Sequence, residues 1–381
     1  MATRDPARLA QLAREDGRLG LDTEFMPEGR YKPLLCLVQI AAGGEIAVLD
    51  PLEGFDPAPL AEVLADPAVE VVLHAGRQDV AILRREWSTT FANVFDTQVA
   101  AGFAGFSAQA GYNALLHDVL HVRLPKTASF TRWDARPLTD EQLRYARGDV
   151  EHLLALADEI AVRLRDRGRL EWAREECRAI AEATDARDPG EVWRRLPRVS
   201  GLDPRARAVA RELAAWRERT AAGEDRPVGS VVRDPTIVEL AKRQPAGRRE
   251  LAQIRGVNPD VIRRRGPDLL VAIERGRQAE PVRLDDADRF STESVDGPAI
   301  ALAESLVRVR AQEAGLAYEL IAARADLAPI VVAARRGGPA PDVRTLHGWR
   351  RELVGAELLE LLAGRRSLGV GREGRVRVSD G

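Results

Sequence analysis

Asp22 and Glu24 stand one residue apart in Leu19-Gly20-Leu21-Asp22-Thr23-Glu24-Phe25. Leu19, Leu21, Thr23 and Phe25 alternate with Gly20, Asp22 and Glu24, the two-residue period of a β-strand. Both carboxylates therefore leave the same strand face, roughly 6.5–7 Å apart along the chain at a strand's rise per residue. Acids so placed repel each other unless a cation lies between them. Magnesium or manganese, held through carboxylate oxygens, relieves that repulsion. Alone, the motif fits an edge strand with a solvated acidic face better than it fits a metal site. The residues downstream shift that balance.

In Leu73-His74-Ala75-Gly76-Arg77-Gln78-Asp79 a strand ends in a glycine turn and Asp79 opens a helix, where the ordinary role of an Asp is to cap. Tyr145 and Asp149 lie four apart, on one face of a helix, where a plain surface with a core-facing Tyr is the simple alternative. Asp96, after Phe95, is a candidate fifth acid or a turn residue at a strand end. Each has a structural explanation by itself. Asp-x-Glu on a first strand, Asp after a fourth and Tyr-x-x-x-Asp on a late helix together form a constellation.

The elements that must position these residues follow from periodicity. Residues 3–16 read as a helix, 19–25 as a strand, 34–41 as a nearly continuous apolar central strand and 45–50 as its hairpin partner. A short helix (59–65), a strand (69–73), a helix (79–87), a strand (94–96) and a helix (107–116) follow. Residues 120–137 are irregular, and a long helix runs from Thr139 to about Arg167. The order predicts an α/β domain, a mixed sheet with helices on both faces. Short helices dominate 205–277 and, more loosely, 298–366, a candidate divergent tandem repeat. The expected organisation is 1–170, an α/β domain; 171–204, a linker or connecting helix; 205–279, a helical domain; 280–297, an acidic linker; 298–367, a second helical domain; and 368–381, a disordered tail.

Two cysteines in 381 residues, Cys36 and Cys177, exclude a disulfide framework and a Cys/His zinc site, and suggest a reducing cytoplasm with no disulfide-linked partner. The N-terminus does not read as a signal peptide, and no apolar run approaches a membrane span. Residues 1–150 carry 15 basic and 21 acidic side chains, whereas 205–277 carry 17 and 10. An acidic first part joined to a basic later part suits a metal-using site with a separate clamp for a polyanion.

The constellation resembles the ribonuclease D family of DEDD exonucleases, in its tyrosine-bearing subclass. Asp22-Thr23-Glu24-Phe25 is similar to the family's first motif, His74 to Asp79 to its second and Tyr145 to Asp149 to its third. Phe95-Asp96-Thr97-Gln98 and Trp133 to Thr139 are similar to further stretches. Residues 205–277 resemble the helicase-and-RNase-D C-terminal (HRDC) helical domain. The resemblance implies an RNase H-like fold and a 3′→5′ exoribonuclease using two divalent metal ions. Asp22, Glu24, Asp79 and Asp149 match the metal ligands. Tyr145 matches the residue that orients the attacking water. The substrate implied is RNA with a short 3′ extension, such as a tRNA precursor, and a monomer is expected. Candidate RNA contacts are Phe25, His74, Lys126, Arg132, Arg248, Arg249, Arg263, Arg264 and Arg265. A DNA exonuclease and a non-catalytic RNA-binding adaptor are the alternatives.

Overall fold

The computed structural model describes residues 5–124, 132–283 and 292–381. Five strands form one sheet: β1 (Arg18–Met26), β2 (Leu34–Ala42), β3 (Glu45–Leu49), β4 (Glu70–Leu73) and β5 (Val94–Asp96), in the order β3-β2-β1-β4-β5. β2 and β3 pair antiparallel, while β1, β4 and β5 run parallel. The seven residues between β1 and β2 are too few for a parallel crossover, so the sheet begins as a meander and continues through helical crossovers.

Helices cover both faces. On one lie α1 (Pro6–Asp16), α2 (Ala58–Leu64) and α3 (Arg77–Glu86), whose Leu9, Leu60, Val63 and Val80 join Leu19 and Leu21 in a single core. On the other lie α4 (Thr97–Phe103), α5 (Tyr112–Leu115) with a π-helical turn at Leu116–Leu120, α6 (Asp140–Glu151) and α7 (Leu153–Asp166). The sequence suggests one helix from Thr139 to Arg167. The chain instead breaks at His152 (φ −112°, ψ 5°), because α6 packs on β3 and α7 on β4. Thr139 and Gln142 close a reciprocal capping box that fixes where α6 starts.

Residues 171–204, expected as a connector, do more. α8 (Leu170–Ala181) packs on β5 and α4, and the Cys177 Sγ accepts a bond of 3.3 Å from the Asp96 amide. Trp193, Leu196 and Val199 are buried in the core of the following helical unit.

Two compact units result: 1–25, 35–184 and 290–381 in the first, 26–34 and 185–289 in the second. The second holds α9 (Pro204–Gly223), α10 (Val228–Val231), α11 (Asp234–Arg243), α12 (Arg248–Leu251) and α13 (Pro259–Gln278) around Val209, Leu213, Ile237, Leu240 and Leu269. Segment 26–34 belongs here through Tyr31, whose hydroxyl donates to the buried Glu218 at 2.8 Å. Gly256 faces inward. At φ +91° a Cβ would lie 2.2 Å from the Thr236 hydroxyl.

The last segment holds α14 (Asp296–Ala314), α15 (Tyr318–Ile321), α16 (Arg324–Arg336), α17 (Gly348–Arg350), a π-helical turn at Arg351–Gly355, and α18 (Ala356–Leu362). Where the sequence suggests a separate domain, this segment shares the core of the first unit. Trp349 stacks on Trp172 at 5.3 Å and meets Phe103 edge-on at 5.0 Å. Its indole donates to Glu176 at 2.9 Å, and the buried Arg350 guanidinium grips the same carboxylate. The tail, expected to be disordered, forms a hairpin of β6 (Arg366–Val370) and β7 (Val376–Asp380), because Leu368 and Val378 have an apolar surface to pack on. Among the described residues no helix is long and apolar enough to cross a membrane.

Glu176→Ala leaves the Arg350 charge buried without its partner. We expect a loss of about 3–5 kcal/mol, read from the denaturant midpoint. A loss under about 1 kcal/mol, the scale of an exposed pair, would show that this contact does not hold the C-terminal helices.

Candidate active site

β1 places Asp22 and Glu24 on its second face while Leu19 and Leu21 enter the core. α6 brings Asp149 to them. One carboxylate oxygen from each of Asp22, Glu24 and Asp149 lies within 4.8 Å of the other two. Asp79 enters from the first turn of α3. It is 7% exposed and accepts a short hydrogen bond from the Thr23 hydroxyl, so the residue between the two β1 acids fixes the third.

The turn before Asp79 is built by Asp96. Fully buried at the end of β5, Asp96 accepts from the amides of Ala75 (3.2 Å) and Gly76 (2.8 Å), and caps α4 through Gln98 and Val99. A candidate fifth acid in the sequence is thus a bracket for the turn, its oxygens consumed by backbone donors. Gly76 is required there, since a Cβ would lie 2.7 Å from the Leu73 side chain.

Burial, followed by the charges of Asp79, Asp149 and Glu24, raises the Asp22 carboxyl well above the carboxylate range. Burial, then Asp149 and Asp79, lifts Glu24 to about 8. Burial raises Asp149 to about 7, and raises Asp79 to about 6 against the opposing Thr23 bond. Each acid is thus disfavoured as an anion until positive charge arrives. The donor set is all carboxylate, which suits a hard divalent cation.

Tyr145 stands one helical turn from Asp149, its ring 5.9 Å from that of the buried Trp133. Burial, then Asp149, Glu24 and Asp22, pushes its phenol far above the ordinary range. The hydroxyl therefore stays protonated and acts as a hydrogen-bonding group. Tyr112, for which the sequence offers no motif, lines a cavity of about 610 Å³ together with Leu124, Arg144, Tyr145 and Asp149. Its phenol is raised by burial and by Asp149. A tyrosine on a four-residue helix carries no periodic signal, so only folding reveals it.

The candidate RNA contacts divide. Phe25 packs against the core that holds Leu19 and Leu21. His74 is held by the Thr97 hydroxyl at 2.9 Å and lies 5.5 Å from the Tyr112 ring. Arg132 is exposed and pairs with Asp134 at 2.9 Å. Lys126 lies outside the described residues. In the second unit Arg263 and Arg265 are tied to Asp260 and Glu224, each at 2.6 Å, whereas Arg248, Arg249 and Arg264 are exposed.

Residues 3–165 match the family model described as a 3′-5′ exonuclease, and residues 206–273 match the HRDC domain. A ribonuclease D of Acidiphilium cryptum is 38% identical over 365 residues, spanning 94% of this chain and 91% of that protein. The chain belongs to the ribonuclease D family. A ribonuclease D of Gluconacetobacter diazotrophicus is 36% identical over 373 residues, 97% of this chain and 93% of its own. The crystal structure of Escherichia coli RNase D, an exoribonuclease involved in structured RNA processing, superposes with a TM-score of 0.84 at 29% identity, covering 94% of this chain and 96% of that one. Membership makes the exonuclease domain metal-dependent, and the carboxylates of this ribonuclease D family member are placed to meet that need.

A raised carboxylate has a definite linkage sign. Between Glu24's ordinary 4.5 and its folded value of about 8, the folded state holds more protons than the unfolded one. Stability of the metal-free protein therefore falls as pH rises through that window. In chelator at the upper end, Glu24→Gln is expected to stabilise the fold by about 1–3 kcal/mol and to shrink the rise in Tm that manganese produces. Thermal melts at two pH values, with and without metal, check both. A metal-free protein equally stable across the window would refute the repulsion.

Proposed function

We propose that this chain is a metal-dependent 3′→5′ exoribonuclease of the ribonuclease D type. It trims structured RNA such as tRNA precursors and releases nucleoside 5′-monophosphates, with two divalent cations, Mg²⁺ or Mn²⁺. The observation that carries the reading is the convergence of Asp22, Glu24 and Asp149 within 4.8 Å, with the charge of Asp79 acting on Asp22 and Glu24 and with Tyr145 alongside.

Asp22, Glu24, Asp79 and Asp149 would hold the cations. Two cations bound there would supply charge stabilisation for the attacking and leaving oxygens and a more acidic, more nucleophilic water. The Tyr145 hydroxyl, kept protonated, directs that water along the line of displacement and is not the base. The cavity between Tyr112 and Tyr145 receives the terminal nucleotide, its volume falling within the usual range for small-ligand sites. Residues outside the pocket hold the body of the RNA. Arg248, Arg249 and Arg264, exposed on the HRDC-matching unit, are candidates for phosphate contacts.

The C-terminal helices follow the same succession as that unit. A long helix, a four-residue helix and a middle helix occur in both, with α10 and α15, and α11 and α16, each starting 90 residues apart. Buried Val231, Ile237 and Leu240 correspond to buried Ile321, Leu327 and Ile330. This supports reading 298–367 as a second, divergent HRDC-like repeat. Cys36 and Cys177 are both buried as thiols, which supports a reducing compartment, and we place the enzyme in the cytoplasm as a monomer.

A time course on 3′- and 5′-labelled RNAs, with magnesium, manganese or chelator, tests activity, polarity and metal need together. A matched DNA strand tests sugar preference. Asp22→Asn is expected to abolish hydrolysis while RNA binding in chelator persists. Tyr145→Phe should lower kcat by about 10²-fold, the scale of a misplaced reacting group, with KM little changed. Wild-type protein that binds RNA yet never shortens it with either metal would support an adaptor instead.

A further inference from the structure

The hairpin β6–β7 is a built element with no part in the chemistry above. Its five cross-strand pairs run from Arg366↔Asp380 to Val370↔Val376. The base is fastened three ways. Arg366 and Asp380 form an ion pair at 2.6 Å, the hydroxyls of Ser367 and Ser379 meet at 2.9 Å, and Leu368 and Val378 pack on the large core cluster that also holds Trp349. The far end is different. Val370 is 74% exposed, and Arg372, Arg375 and Arg377 are all exposed around the turn.

Charge decides what such a tip fits. Between Ser367 and Ser379 three arginines face one acid, Glu373. Several other arginines of the C-terminal segment are occupied: Arg365 with Glu360, Arg366 with Asp380, Arg310 with Glu357, Arg335 with Asp296. Among the described residues Arg372, Arg375 and Arg377 form no such ion pair. Positive side chains at the open end of a ribbon oppose addition of another strand, which argues against a protein partner there. Guanidinium groups on a stiff two-stranded ribbon suit successive phosphates of a nucleic-acid backbone. The hairpin belongs to the same compact unit as the acid site, so a polyanion whose end occupies that site is its available partner.

We propose that the C-terminal hairpin is an RNA-backbone clamp, in which Arg372, Arg375 and Arg377 contact phosphates of the duplex body of a structured substrate. This rests on the exoribonuclease reading for the identity of the polyanion, and its test is one of binding, so the two can fail separately. The probe is a hairpin RNA with a short single-stranded 3′ tail, titrated in chelator against wild type, R372S/R375S/R377S and E373R. A short single-stranded oligoribonucleotide is the control.

The triple variant is expected to bind the tailed hairpin roughly tenfold more weakly. Its plot of log affinity against log salt should be shallower by about 2–3, as removal of three phosphate contacts requires. The oligoribonucleotide should be unaffected, and so should its turnover with manganese. E373R, which removes the one acid, should bind the tailed hairpin more tightly and with a steeper salt dependence. Unchanged affinity and slope in the triple variant would overturn the proposal. So would an equal loss on both RNAs, which would point to a disturbed fold or pocket. If wild type bound the tailed hairpin but cleaved nothing, the catalytic reading would fail and the clamp would still be judged by the slopes.

Discussion

Four carboxylates forced together out of water are the constraint on which the rest of this molecule turns. Nothing in Asp22, Glu24, Asp79 or Asp149 favours their meeting. Burial raises them all, and the neighbouring acids add to it at Asp22 and at Glu24, which reaches about 8. The free energy that holds them together comes from the frame: apolar packing on both sides of the sheet, and the backbone bonds that fix where strands end and helices begin. A divalent cation held by these carboxylates would offset that cost. Burial and the same negative field keep the Tyr145 phenol neutral.

Polar residues that are not catalytic are what aim the acids. The Thr23 hydroxyl ties Asp79 to the strand that carries Asp22 and Glu24. Asp96 holds the Ala75–Gly76 turn, and Cys177 from α8 accepts the Asp96 amide in turn. A chain of contacts therefore runs from α8 to the turn that precedes Asp79. Trp349 and Arg350 close on Glu176 of that same helix, so the last helices of the chain are built into the support of the exonuclease part.

Arginine content overstates the surface available for nucleic acid. Arg205, one of a dense run in the basic segment, donates to the carbonyls of Arg277 and Ala279 and so closes the C-terminus of α13. Arg207 bonds the Leu202 carbonyl. Arg136 holds Asp50 with two bonds of 2.6 Å and reaches the Cys36 carbonyl, fastening the segment before α6 to the sheet. Long side chains with several donors serve as internal struts in a protein poor in aromatics. What is left for phosphates is a smaller set than a count of charges suggests.

Local pattern was enough to place β1 and its two acids, the helix of Tyr145 and Asp149, and the mixed sheet with helices on both faces, because strand alternation and helical spacing are properties of a few consecutive residues. The order of the acids along the chain also carried the family resemblance. Local pattern could not separate Asp79 from Asp96. Each follows a short apolar strand and stands at a helix start, and only the neighbouring strands decide which carboxylate faces other acids and which faces backbone amides. Phe25 as a core residue, Tyr112 as a cavity wall, the packing of Trp349 on Trp172 and the paired tail depend on partners dozens to hundreds of residues away. Sequence fixes what a side chain can do within one or two turns of its own backbone; tertiary structure decides which distant groups it meets, and with that its charge state and its role.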